Sequence, residues 1–221
     1  MKVRQMREQV CAVLVLALLG DWLQTADTRQ IRRICKDSEI EILSDQGVRI
    51  EPVERSHTEL VLALDDIVSK KFQIRFDFKT TGANGILFYG RSRENRKELI
   101  AMRLMSGSLY YKIQCPTVAA DVLIPFESRL DDGNWHTVSI KFRKGGMKAQ
   151  VEVDGVKDEK TYEVSCDGMS SLVFGGVSPH DHSVVNSILG SMPHFDGCFR
   201  RVLLNTPLRT PPKYYAVSVC D

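Results

Sequence analysis

The stretch DGNWHTVSIKF, residues 132–142, sets a tryptophan, a histidine and a threonine side by side after an acidic turn. Such a trio could stack a sugar on the indole or move a proton through the imidazole. Proton transfer needs a partner within hydrogen-bond reach of the ring. Nothing local supplies one, so His136 is expected to be a core histidine. Trp135 is expected to pack over a strand end, with sugar stacking as the alternative. His180-Asp181-His182 alternates two imidazoles about a carboxylate, but a zinc site needs further ligands. Glu39 and Glu41 resemble the paired carboxylates of a glycosidase, yet lack a third acidic partner at useful spacing. No Gly-x-Ser-x-Gly elbow and no supported Cys–His pair occurs. The chain is therefore expected not to be an enzyme, with a sandwich-fold glycoside hydrolase the least favoured alternative.

Positive charge offers a different chemistry. Arg91, Arg93, Arg96 and Lys97 form one cluster, Lys141, Arg143, Lys144 and Lys148 a second, and Arg200 and Arg201 a third. Such clusters attract heparin-like polyanions. Arg91, Arg93, Lys141, Arg143 and Lys144 are the expected glycan contacts. Glu94 and Glu98 are interspersed, so ordinary solvated turn charge is the competing reading. The formal net charge is only +2 over 221 residues, which does not fit a nucleic-acid-binding domain.

The elements that would carry these residues read as strands. In KKFQIRFDF, Phe72, Ile74, Phe76 and Phe78 share one face, and Gln73, Arg75 and Asp77 the other. Period two means a strand with one buried face. Further strands are expected at 86–90, 99–104, 109–115, 122–125, 136–143, 148–153, 171–177 and 198–204. Ser106-Gly107-Ser108, Lys144-Gly145-Gly146 and Asp154-Gly155 supply the turns. On the 136–143 strand, His136, Val138, Ile140 and Phe142 point to the core. No long amphipathic helix is expected after residue 50. The fold class is all-β, an antiparallel sandwich.

At the other end, Lys2, Arg4 and Arg7 precede an apolar run of 11 residues at 10–20. A spanning helix needs ~20, so residues 1–26 read as a secretory signal peptide. Residues 27–52 are expected to be a charged N-terminal extension and 53–221 the domain. The expected setting is extracellular, with no transmembrane segment. Once Cys11 has left with the signal, Cys35, Cys115, Cys166, Cys198 and Cys220 remain. In an oxidising compartment they favour disulfides, and an odd count leaves one over.

Taken in order, FQIRFDFKTTGANGILFYG, ELIAMRL, GSLYYKI, DDGNWHTVSIKF, AQVEVDG, LVFGG and FDGCFRRVLLN resemble a laminin G-like domain over about residues 55–220. The type occurs in laminin α chains, agrin, perlecan and neurexins. The resemblance implies a jelly-roll-like, concanavalin A-like sandwich and a disulfide between Cys198 and Cys220. Cys115 and Cys166 fall outside that pattern, but both precede loops expected on one rim, which suggests a second bridge. Cys35 is then left over. The resemblance also implies Ca²⁺ on one rim, held by the carboxylates of Asp121 and Asp167 and the carbonyls of Thr137 and Ser165. Carboxylate, carbonyl and water oxygens are the ligands this ion takes. The implied function is a secreted module binding matrix, cell-surface receptor or acidic glycan through that rim. A few such domains instead hold a small apolar ligand, such as a steroid, between the sheets.

Overall fold

The computed structural model describes residues 40–63, 72–92, 98–115, 119–124, 126, 128–143, 148–158, 162–163 and 169–220. Two antiparallel sheets face one another. The first runs in the order β10 (Val156–Lys157), β9 (Lys148–Val153), β8 (Trp135–Arg143), β3 (Gln73–Thr80), β13 (Gly197–Leu204), β1 (Val48–Ile50) and β15 (Val217–Val219), with β11 (Tyr162–Glu163) also on β9. The second runs β14 (Lys213–Tyr215), β2 (His57–Val61), β12 (Ser171–Phe174), β4 (Gly85–Arg91), β5 (Leu99–Met105), β6 (Ser108–Gln114) and β7 (Ala119–Leu123).

The alternation read from the sequence decides which residues lie between the sheets. Phe76 and Phe78 on β3 lie opposite Val138 and His136 on β8. All four are buried. Phe76 meets Phe88 and Phe174 of the other sheet edge-on, with ring centroids 5.7 and 5.5 Å away, and Phe199 lies 6.0 Å away. These rings fill the centre of the sandwich.

One feature departs from the sequence expectation and one adds to it. Val48–Ile50, expected within an extension, is a strand inserted between β13 and β15. Ile42, Val48 and Ile50 are wholly buried, so the domain includes residues from at least Ile40. A helix, α1 (His182–Leu189), also appears. It lies over the outer face of the second sheet, where Val185 and Leu189 cover Ile86, Tyr89, Leu99, Ala101 and Val173. That cover explains why β4 is buried along its whole length and reads as an unbroken apolar run rather than an alternating one. The Asp154-Gly155 turn closes β9 to β10 with φ of 50° and 81°, the left-handed pair that a two-residue hairpin of this twist requires.

Candidate binding surfaces

The outward residues of β13, β3 and β8 form one surface. These strands provide five cations, Arg75, Lys79, Lys141, Arg200 and Arg201, with Asp77 among them, while Glu152 and Asp154 of the neighbouring β9 hairpin line the same face beside Arg75 and Lys141. The registry of β13 against β3 slips between Arg200 and Leu203, and Arg201 has φ of 49°. This is a bulge, which re-aims side chains. Its result is that the adjacent Arg200 and Arg201 both reach Asp77. Arg201 Nε donates at 2.7 Å and Arg200 Nε at 3.2 Å, while Thr137 Oγ1 donates at 2.9 Å. Asp77 is only 2% exposed. A carboxylate this buried is tolerable only when paired and hydrogen-bonded, and with Arg201 Nη2 also donating, four donors from three side chains meet that need.

Trp135 belongs to the same surface. The guanidinium carbon of Arg200 stands 3.9 Å from the indole centroid and Lys79 Nζ 5.2 Å. Cation–π contact of this kind is worth ~0.5–1 kcal/mol at exposed sites. Trp135 thus orders cations in a partly exposed setting. Arg75 and Lys141 have no ion pair among the described residues.

His136 is the expected buried histidine with a hydrogen-bonded ring, but one of its partners, Asp132, is local, against the expectation that nothing local supplies one. Its Nδ1 is 2.8 Å from Asp154 Oδ2, and its Nε2 is 3.0 Å from Asp132 Oδ1. Asp154 Oδ1 also accepts the Thr137 amide at 2.7 Å. Burial, the largest single influence on the ring, opposes its charge, but the bonds and charges of Asp154 and Asp132 together outweigh it and hold the imidazolium above its usual range. With both nitrogens on carboxylates, the ring cannot take a proton from a substrate. It clamps two turns instead. Asp132, held chiefly by the side chain and amide of Asn134 and then by His136, is pushed down to about 2.

The signs of these shifts define a pH dependence. A raised histidine contributes fully below its unfolded value and loses that contribution as pH rises through the folded value. A depressed aspartate contributes above its unfolded value and loses it as pH falls toward about 2. The clamp is therefore strongest in mild acid. Urea midpoints measured from pH 5 to 9 should fall on the alkaline side more in the wild type than in His136→Gln. Parallel profiles would show that the ring does not titrate in the clamp.

The other expected site residues are dispersed. Arg91 is 6% exposed and binds the Asp181 carboxylate. This carboxylate also accepts Tyr89 Oη at 3.0 Å. The Arg91 charge is thus turned inward, beneath α1. Arg143 ends β8, while Arg93 and Lys144 lie outside the described residues. His180 and His182 flank Asp181 at the exposed start of α1. Among the described residues, no three His, Cys, Asp or Glu side chains gather closely enough to hold a metal.

In the expected calcium set, the two described members, Asp121 and Thr137, each have protein partners. Asp121, on edge strand β7, gives its carboxylate to Arg103 and stands 3.9 Å from Lys112. Arg103 is 6% exposed, and its Nη1 donates to the Leu189 carbonyl at the C-terminus of α1 at 3.0 Å. A helix C-terminus favours a cation, so this guanidinium is held from both sides. Thr137 lies on the opposite sheet, where its carbonyl already accepts the Asp154 amide at 2.9 Å. Ser165 and Asp167 lie outside the described residues. The Cys198–Cys220 bridge is present, with Cα atoms 5.9 Å apart. Cys115 is disulfide-bonded, and Cys166 lies outside the described residues, as do Cys35 and the expected signal peptide.

Comparison with known proteins bears on the whole arrangement. The family model of the laminin G domain matches residues 78–206. The chain belongs to the laminin G domain family. It is 26% identical to a laminin subunit alpha of Drosophila melanogaster over 165 residues, covering 70% of this chain and 4% of that protein. It is 28% identical to the sex hormone-binding globulin of Rattus norvegicus over 208 residues, covering 86% of this chain and 46% of that one. The solved domains LG4-5 of the mouse laminin alpha1 chain superpose with a TM-score of 0.65 at 23% identity, covering 80% of this chain and 47% of that one. The chain therefore spans less than half the length of each of these relatives. Among the described residues, no helix of this laminin G domain is long and apolar enough to cross a membrane.

Proposed function

We propose that this laminin G domain is a secreted, extracellular recognition module that binds an acidic partner through the outer face of its first sheet. A sulfated or carboxylated glycan of the matrix or cell surface is the partner class. The observation that carries this reading is the cationic surface of β13, β3 and β8, ordered by the buried Asp77 and by Trp135. Cations arranged in this way attract a polyanion directly, and no bridging metal is needed. Family membership agrees, since laminin chains are among the relatives.

The similarity to a sex hormone-binding globulin suggests the other reading, an apolar ligand between the sheets. The tight phenylalanine cluster of Phe76, Phe88, Phe174 and Phe199 occupies that space and favours the surface reading.

Chromatography of the folded protein on immobilised heparin, in calcium and in chelator, tests the proposal. The triple variant Arg75→Ala, Lys79→Ala, Lys141→Ala leaves Asp77 and its arginines untouched. Three surface charge contacts of roughly 0.5 kcal/mol each predict about a tenfold loss of affinity. Elution at clearly lower salt, alike with and without calcium, is the expected result. Unchanged elution of the variant would remove the reading.

A further inference from the structure

The second sheet carries another surface that the outer-face reading does not use. Between edge strand β14 and the start of α1 runs an open furrow of about 650 Å³, lined in part by Arg55, His57, Ser171, His180, Lys213 and Tyr215. Tyr215 and His57 are paired across β14 and β2. Their rings stack with centroids 4.5 Å apart and planes within 16°. His57 is 1% exposed and Tyr215 is 39% exposed. One ring is thus a buried base and the other an open platform.

The backbone around this pair is costly. Arg55 has φ of 75° and Ala216 has φ of 48°, and non-glycine residues held in sparsely populated regions cost roughly 1–3 kcal/mol each. Buried Ser56 ties the two together. Its hydroxyl donates to the Ala216 carbonyl at 2.9 Å and accepts the Glu51 amide at 2.9 Å. The Arg55 carbonyl accepts His57 Nδ1–H at 2.9 Å. Burial is the largest influence on His57 and shifts its ring toward the neutral form, a flat support for Tyr215. Gly176 completes the fit, because a Cβ there would overlap the Ser56 carbonyl. Strain on both sides of a platform, held by a buried hydroxyl, makes a preorganised site rather than a chance contact.

The surrounding groups indicate the ligand. Tyr215 offers an open aromatic face of the kind that takes the C–H face of a pyranose. Hydroxyls of Ser171 and Ser183 and the Lys213–Glu59 pair, at 3.2 Å, offer donors and acceptors at its edge. Arg55 and His180 are exposed, with no acidic partner among the described residues, and suit a carboxylate or sulfate. We infer that Tyr215, on its His57 base and flanked by Arg55, Lys213 and His180, is a subsite for one sugar ring of an acidic glycan.

This site is separate from the outer face, so its test uses the Arg75→Ala, Lys79→Ala, Lys141→Ala protein as background. Heparin tetrasaccharide, hyaluronan tetrasaccharide and neutral chitotetraose are titrated by calorimetry, with saturation-transfer NMR on each. An acidic probe should bind more tightly than chitotetraose; the heparin and hyaluronan arms separate sulfate from carboxylate. Tyr215→Ala should weaken that binding by about tenfold, the scale of one aromatic contact, and Tyr215→Phe should retain it. Arg55→Gln should narrow the gap between acidic and neutral probes. Absence of binding by every probe, or equal binding by the background protein and a folded Tyr215→Ala variant, would overturn the inference and leave the outer-face reading standing.

Discussion

Phe76→Ala is expected to lower the unfolding free energy by about 3–5 kcal/mol, the range for deleting a buried aromatic ring. Phe76 is wholly buried and stands where rings from both sheets converge. The cavity left by its removal would be walled by Phe88 and Phe174 from one sheet and Phe199 from the other. Each of these is pinned by its own strand pairing, so the walls cannot easily close in. Domains of this size are stable by only ~5–15 kcal/mol, and this single change removes a large part of that. Phe76→Leu keeps most of the volume and should cost about 1.5 kcal/mol or less. Urea denaturation of the two variants, with equal m-values, measures both. The effect also reaches the surface, because Asp77 is the next residue on β3. A loosened β3 would displace the carboxylate that gathers Arg200 and Arg201, and heparin retention should fall in the Ala variant more than in the Leu variant.

How far the sequence discloses this arrangement depends on the range over which each feature is encoded. The β3 and β8 strands are legible because alternation is local: KKFQIRFDF and WHTVSIKF state their own faces. The β4 strand is legible as apolar, but not as covered, since its cover is α1, nearly a hundred residues away. That helix is short, and its paired apolar residues Val184-Val185 and Ile188-Leu189 are β-branched in three of four cases, which weakens any helical signal. Among the site residues, Arg200-Arg201 is visible as basic sequence, but the bulge that aims both at Asp77 is not. His136 reads as inward by parity, and Asp132, four residues earlier, was the available clue to its clamp. Asp154 required the β9 hairpin to bring it back. The His57–Tyr215 pair belongs wholly to the edge pairing of β14 on β2, and no local pattern encodes it. The pairing of Asp121 with Arg103 shows the same limit, since the two residues lie on different strands and no local pattern joins them.

Removing the Cys198–Cys220 bridge in a double Ser variant is the other change with a large expected effect. The bridge spans a sequence separation of 22, for which loop entropy predicts about 3 kcal/mol. Topology decides where the loss is felt first. Cys198 sits on β13, whose pairing with β3 extends over most of the strand. Cys220 follows β15, three residues long and, among the described residues, paired to β1 alone, itself three residues long. Between the two cysteines, β14 is likewise a three-residue edge strand. The bridge therefore fastens weakly paired C-terminal strands to one of the best-paired strands in the molecule. Without it, opening of residues 213–219 should become cheaper than global unfolding. Hydrogen exchange should show faster amide exchange in β14 and β15 of the Ser variant, while β3 and β8 keep the protection set by its reduced global stability. Tyr215 lies in the loosened segment, and two positive-φ residues beside it gain by relaxing once the tie is gone. Binding at the furrow should then weaken before binding at the cationic face does. Uniform acceleration across all strands would show instead that the bridge acts only on the unfolded chain.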